Sequence, residues 1–393
     1  MIQRDITPLL ASLSAQYPAL TLTGPRQSGK TTLARQVFAD KPYVSLEDPD
    51  VRRFALEDPR GFLGQYPDGA ILDEFQRAPE LPSYLQTLID ADPTPGRFIL
   101  TGSQQFELMR NVSQSLAGRT ALLRLLPFSL AETARLVPAV RQRSLTRILR
   151  DGFYPRIHDR QLSPAQMLAD YFASYVERDL RALTAVHDLQ RFERFVRLCA
   201  GRTGQVLNLA SLGNDAGVSQ FTARQWIDLL QTSYIVHLLQ PWFINSGKRL
   251  VKSPKLYFYD TGLVCWLLGL QEPEQVARDP LLGGLFENFI VMEALKHKVH
   301  RGDNGPAYFY RDSNGFEVDL LLPAAGGRMR VIELKAGATV NPDYFRGLRS
   351  FAAAHPQALE GGCVVYGGSG NQSRSDWPVW SWSTLFDSPP HDG

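Results

Sequence analysis

Residues 19–38 read ALTLTGPRQSGKTTLARQVF. An apolar run, Ala19 to Leu22, leads into Gly24-Pro25-Arg26-Gln27-Ser28-Gly29-Lys30-Thr31-Thr32, and a helical pattern follows with Leu33, Val37 and Phe38 apolar. Strand, glycine loop and helix carry the full GxxxxGK[ST] spacing of a phosphate-binding P-loop. Gly24 and Gly29 let the backbone curl so that its N–H groups point inward at phosphate oxygens. The helix opening near Lys30 adds the positive end of its dipole. Lys30 is placed to reach the β- and γ-phosphates and the Thr31 hydroxyl to sit on Mg²⁺. ATP and Mg²⁺ are therefore the expected ligands, held by residues 24–32.

Downstream, Gly69-Ala70-Ile71-Leu72-Asp73-Glu74 is a short apolar strand ending in two acids, the Walker B pattern. Asp73 would hold the metal through water opposite Thr31. Glu74 would orient or deprotonate the attacking water. A further strand, Arg97 to Thr101, precedes Gly102-Ser103-Gln104. Thr101 and Ser103 are candidates to touch the γ-phosphate or the water; a helix cap at Ser103 is the alternative. A helix is expected over Phe106 to Leu116, then Arg119 directly before a strand at Ala121 to Leu126. Strands alternating with helices imply a parallel α/β sheet covered on both faces, with its ligand at the carboxyl ends of the strands.

Composition bounds the rest. The chain has 393 residues, is 44% hydrophobic and 21% charged, and carries a net charge of +2, so a nucleic-acid surface must be a local patch. Cys199, Cys265 and Cys363 show no zinc spacing or disulfide framework, which fits a reducing cytoplasm. The N-terminal stretch lacks the apolar core of a signal peptide, and no apolar run reaches the ~20 residues of a membrane span. Gly262 to Leu270 reads as a buried helix, and the Ser-, Gly- and Pro-rich stretch from Gly367 as loosely held at its end.

Between the ends, residues 189–242 read as three helices and a strand, a helix-turn-helix variant with Phe221 to Leu230 in the recognition position. Gly247-Lys248-Arg249-Leu250-Val251-Lys252-Ser253-Pro254-Lys255 then resembles a basic wing. From Val186 to Lys255, nine Lys/Arg stand against four acids, a positive face suited to phosphates. Arg224, Lys248, Arg249, Lys252 and Lys255 are the candidate DNA contacts. One base-reading arginine on the third helix does not indicate sequence specificity. Winged helices also serve as protein adaptors, so a protein partner is the other reading.

In the C-terminal part, Asp319 is followed fourteen residues on by Glu333-Leu334-Lys335, the pattern of the PD-(D/E)xK nuclease fold. Glu333 and Lys335 face the same side of a strand. Asp319 comes from the neighbouring strand and Glu287 from the preceding helix. Glu287, Asp319 and Glu333 offer hard oxygens to Mg²⁺, and Lys335 could position a metal-bound water against a phosphodiester. Packing use of a nuclease-like fold is the alternative.

The motifs LPFSLAE (126–132), RDGFYPRI (150–157), YFASYVERDL (171–180), PKLYFYDTGL (254–263), GGLFENFIVMEAL (283–295), FEVDLLL (316–322) and VIELKAG (331–337) resemble one group of bacterial and archaeal ATPases. There a AAA domain is joined to a C-terminal domain of unknown function related to restriction endonucleases. The resemblance covers nearly the whole chain. It implies an α/β architecture: an AAA+ P-loop ATPase core (1–126), a helical lid (127–186), a winged helix (187–260) and a PD-(D/E)xK nuclease-like domain (261–393). It also implies that Arg119 is a finger pointing into a neighbouring subunit's nucleotide, hence a homo-oligomer, with Arg178 as a second candidate phosphate contact. A surface arginine closing a turn and an ion-paired Arg178 are the alternatives. The expected function is Mg-dependent ATP hydrolysis acting on DNA, without a membrane and with or without cleavage; an ATP-gated adaptor is the alternative.

Overall fold

The computed structural model describes residues 3–102, 115–175, 188–243, 253–312 and 314–387. Residues 106–114 of the helix expected over Phe106 to Leu116, Ser103, Arg178 and the segment with Lys248, Arg249 and Lys252 lie outside the described residues. The chain forms two compact units: Met1–Phe128 with Thr232–Tyr234 and Val299–Asp303, and Ser129–Gln231 with Ile235–Lys298 and Asn304–Gly393.

The first unit opens with helix α1 (Thr7–Ser14) and strand β1 (Ala19–Thr23). Then come α2 (Lys30–Val37), β2 (Tyr43–Ser45), α3 (Pro49–Glu57), α4 (Pro59–Gly64), β3 (Ala70–Asp73), α5 (Leu81–Ala91), β4 (Phe98–Thr101) and β5 (Thr120–Arg124). The five strands are parallel in the order β2-β3-β4-β1-β5. Strand alternation splits the apolar residues between two layers. Ala19, Leu72, Phe98 and Leu100 pack on one face with Phe62, Leu85 and Ile89. Leu20, Leu22, Ile71, Ile99 and Leu123 pack on the other with Leu33 and Ala34 of α2. Helices on both faces explain why every residue of β1 is buried. Asp58 separates α3 from α4 and caps α4, its Oδ1 accepting from Gly61 N at 2.9 Å.

The second unit begins with α6 (Leu130–Leu136), α7 (Leu145–Asp151), α8 (Pro155–Asp159) and α9 (Pro164–Tyr175). It continues through α10 (Leu189–Ala200), β6 (Gln205–Val206), α11 (Leu209–Ala216), α12 (Gln220–Thr232), β7 (Val236–Pro241) and β8 (Lys255–Phe258). Asn208 caps α11 by accepting from Ser211 N, and Ser219 caps α12 by accepting from Thr222 N. Trp226 of α12 packs edge-on against Phe192 and Phe195 of α10, both at 5.2 Å. After α13 (Thr261–Leu267), buried except at Trp266, come α14 (Pro273–Arg278) and the long α15 (Leu282–His300). Next are β9 (Tyr308–Arg311), β10 (Glu317–Pro323), β11 (Met329–Lys335), α16 (Arg346–Ala354), β12 (Leu359–Tyr366) and β13 (Val379–Ser381).

These strands form one sheet of eight in the order β13-β12-β11-β10-β9-β7-β8-β6. The sheet therefore runs unbroken across the 260/261 boundary that the sequence suggests, because β7 pairs in parallel with β9 at Gln240–Tyr308 and Pro241–Phe309. Within the stretch from Gly367, Val379–Ser381 form β13, with Val379 and Ser381 buried; the end that composition reads as loosely held, residues 388–393, lies outside the described residues.

Candidate functional site

The P-loop curls at the carboxyl end of β1. Gly24 has φ 141° and lies against the residue that follows β5: a Cβ there would sit 2.1 Å from Leu125 O. Gly29, at φ 94° and ψ 20°, is the left-handed residue that starts α2. Lys30 is buried, and its Nζ donates to Gly24 O at 2.9 Å and Pro25 O at 2.8 Å. Burial depresses its ammonium from 10.5 to about 8. Ser28 Oγ and Gln27 Oε1 are buried without a hydrogen-bond partner. A desolvated ammonium satisfied by two carbonyls fits an anion such as a nucleotide phosphate. Thr32 is exposed and Arg26 half-buried. Arg4, which sequence reasoning missed, braces the loop from behind: it donates to Ser28 O at 2.8 Å and to Leu126 O at 2.7 Å.

Asp73 ends β3, two strands from β1 across β4. Hydroxyls converge on its carboxylate from Thr31 (3.1 Å to each oxygen), Tyr43 (2.7 Å) and Thr101. Thr31 and Asp73 thus meet directly, as the motif pair requires. Tyr43 was not anticipated; it stands on the edge strand β2 with its ring exposed and its hydroxyl turned to Asp73. Its hydroxyl is pushed up to about 12 by burial and by its bond to Asp73, and the Arg35 guanidinium lies 4.8 Å from its ring centre. Glu74 adopts left-handed φ 53° and ψ 45°, and its Oε2 accepts from Gln76 Nε2. Gln76 is buried and its Oε1 has no partner. Arg119 lies elsewhere: β5 starts in register with Ala19, so Arg119 is at the amino-terminal edge of the sheet, remote from Lys30. It pairs in a fork with Asp90, at 2.5 and 2.8 Å.

A second constellation lies in the other unit. Register places Leu320 opposite Ile332, bringing Asp319 of β10 beside Glu333 of β11. Lys335 Nζ is 2.6 Å from Glu333 Oε1 and 3.7 Å from Asp319 Oδ2, which also accepts from Leu334 N at 2.8 Å. Glu287 of α15 joins them through Lys255, whose Nζ is 2.6 Å from Glu287 Oε1, 3.5 Å from Asp319 Oδ1 and in contact with Glu317. Tyr257 also donates to Glu287. Burial pushes Glu287 up to about 7; burial and then Asp319 push Glu333 up to about 8. Burial opposes the charge on Lys335, but Asp319 and Glu333 outweigh it and raise the ammonium.

Lys255 corrects the sequence reading. Expected on the basic wing as a DNA contact, it is 2% exposed and consumed by carboxylates. The signal was in β8 itself, where Lys255 and Tyr257 alternate within a wholly buried strand. Glu317 was also missed. Arg224 is exposed on α12 with Gln225.

A divalent metal does not fit this second cluster as built. Glu287, Glu317 and Asp319 are the described carboxylates of the unit whose oxygens lie close enough together to share an ion. Their shared space holds the Lys255 ammonium.

Residues 16–134 match the family described as AAA domain. Residues 142–274 and 282–385 match two domains of unknown function, DUF8612 and DUF4143. The uncharacterized proteins Rv2008c of Mycobacterium tuberculosis and Mb2031c of Mycobacterium bovis are each 34% identical over 351 residues, which is 88% of this chain and 76% of theirs. Among solved structures, the Walker-type ATPase PABY2304 of Pyrococcus abyssi is 14% identical and aligns over 68% of this chain and 96% of its own at a TM-score of 0.47. AMPPCP-bound DnaA from Aquifex aeolicus is 14% identical over 57% of this chain and 85% of its own, at 0.31. Among the described residues, no helix is long and apolar enough to cross a membrane. By its sequence identity to the mycobacterial proteins and its AAA domain, the chain belongs to their family, with an AAA-type P-loop ATPase unit followed by DUF8612 and DUF4143 regions.

Proposed function

We propose that the first unit binds and hydrolyses Mg·ATP and that the second couples this to DNA. The carrying observation is the buried Lys30 ammonium, held by two carbonyls at the mouth of the P-loop. Lys30 would exchange those carbonyls for phosphate oxygens. Thr31 and Asp73, already in contact, would hold Mg²⁺, which supplies charge neutralisation at the transferring phosphoryl. Glu74 would leave Gln76 to accept the proton of the attacking water. Thr101 and Ser103 are the proposed sensors, and Arg119 would serve a neighbouring copy after releasing Asp90.

For the second unit, helix–strand–helix–helix–strand–strand (α10 to β8), with sheet order β6-β8-β7, supports a winged helix. Arg224 on α12 and Lys248, Arg249 and Lys252 are its proposed phosphate contacts. The mixed sheet carrying Asp319, Glu333 and Lys335 supports a restriction-endonuclease-like fold.

A protein-binding switch is the second reading. Phe221 on α12 is 69% exposed, and the withdrawal of Lys255 into the interior leaves the wing less basic. The test is ATP hydrolysis at low salt with Mg²⁺, without DNA and with plasmid, linear, single-stranded and branched DNA. Stimulation by one form, lost steeply with salt, supports the DNA reading. Hydrolysis indifferent to every DNA supports the adaptor, and no hydrolysis in either case refutes the ATPase assignment.

A further inference from the structure

We propose that Lys255 is the resident cation of the second unit's acidic cluster, so that this nuclease-like sheet carries no divalent metal and its ion cluster serves as a structural clasp. The donor count supports it. An ammonium has three N–H donors, and three carboxylates surround this one: Glu287 at 2.6 Å, Asp319 at 3.5 Å and Glu317 in contact. Mg²⁺ needs oxygens at about 2.0–2.1 Å in near-octahedral array; Glu287 Oε1, Asp319 Oδ1 and Glu317 Oε1 already face the Lys255 ammonium, and Glu333 Oε2, buried without a hydrogen-bond partner, lies outside this carboxylate group.

Lys255 is also poorly placed to leave. Its backbone pairs on both sides, with Val206 of β6 and Leu239 of β7. Its side chain is 2% exposed, and its Nζ lies 5.5 Å from the centre of the Phe309 ring. Departure would take from the Glu287 carboxylate the ammonium it pairs with at 2.6 Å, an unfavourable loss for a largely buried charge. With Lys335 on Glu333 and Arg311 Nη1 3.4 Å from Glu317, three cations already serve four carboxylates. Because Lys255 belongs to β8, Glu287 to α15, and Glu317 and Asp319 to β10, the cluster ties the three-stranded β6-β8-β7 group to the rest of the sheet. The inference does not depend on the ATPase reading.

The test uses nucleotide-free full-length protein and Mn²⁺ as the probe, followed by electron paramagnetic resonance up to about 1 mM, the weak end of protein divalent sites. Wild type should show no Mn²⁺ site that Asp319→Asn removes, and neither EDTA nor Mn²⁺ should shift the melting of this unit. Lys255→Met should melt earlier and gain a Mn²⁺ site that Lys255→Met/Asp319→Asn lacks. A wild-type Mn²⁺ site abolished by Asp319→Asn overturns the proposal. A folded Lys255→Met that binds no Mn²⁺ refutes the view that Lys255 stands in for a metal. If Lys255→Met does not fold, the comparison of wild type with Asp319→Asn still decides. ATP hydrolysis without DNA, measured separately, tests the ATPase reading.

Discussion

Nucleotide affinity should fall as pH rises above 8, because the P-loop lysine starts to lose its proton there. Lys30 sits in a desolvated pocket that brings its ammonium from 10.5 to about 8. A bound phosphate chain, fully ionised above pH 7, would restore the charge and draw a proton back. If the bound form keeps Lys30 charged throughout, affinity follows the fraction of free protein already protonated. With a pKa of about 8, that fraction drops about tenfold between pH 7 and pH 9. At pH 8.5, binding should take up about three quarters of a proton per site. The sign for folding is fixed by the same shift. A lysine depressed in the folded state binds fewer protons there, so nucleotide-free stability rises as pH climbs from about 8 toward 10.5. The assay is calorimetric titration with Mg·ADP at several pH values, in two buffers of different ionisation enthalpy. Lys30→Arg keeps its charge at every such pH and should show a flat profile. Affinity that is level from pH 7 to 9, with no buffer-dependent heat at pH 8.5, would refute the desolvated-lysine argument.

Other outcomes follow from the same geometry. Gln76→Leu removes a charge-assisted hydrogen bond worth about 1.5–3 kcal/mol from Glu74. DNA-independent kcat should then rise about tenfold or more with KM unchanged; a drop in kcat would show that Gln76 orients Glu74 instead of restraining it. Glu74→Gln should keep ATP binding and lose hydrolysis, and turnover comparable to wild type would remove Glu74 as the base. Asn288→Ala should destabilise the second unit by about 3–5 kcal/mol, since it orphans Phe258 N, Phe258 O and Thr203 Oγ1 in a fully buried site. Urea denaturation reads this, and a loss under about 1 kcal/mol would show that water or a neighbour replaces the amide. Replacing Lys248, Arg249 and Lys252 by Ala should lower the slope of log affinity against log salt by about 0.9 for each phosphate no longer neutralised, and an unchanged slope would take the wing off the DNA.

The nucleotide motifs were legible because their chemistry is local. Gly24 to Thr31 spans one turn, and Asp73 and Glu74 end one strand, so spacing along the chain determined the ligand class and the parallel sheet around it. The Asp319, Glu333 and Lys335 set was legible for the same reason, across the short connection 324–328 between paired strands. What stayed open depends on distant pairings. Arg4 braces a loop 24 residues on and a carbonyl 122 residues on. Tyr43 reaches Asp73 only because β2 and β3 are neighbours. Lys255 follows a basic run and so read as part of a solvent-facing wing. Only the pairing of β8 with β6 and β7, and of β7 with β9, carries it inward against α15 and β10. The order of residues says which side chains could do chemistry. The folded chain settles which of them are spent on one another, because a buried charge takes whatever counter-charge the fold brings within reach.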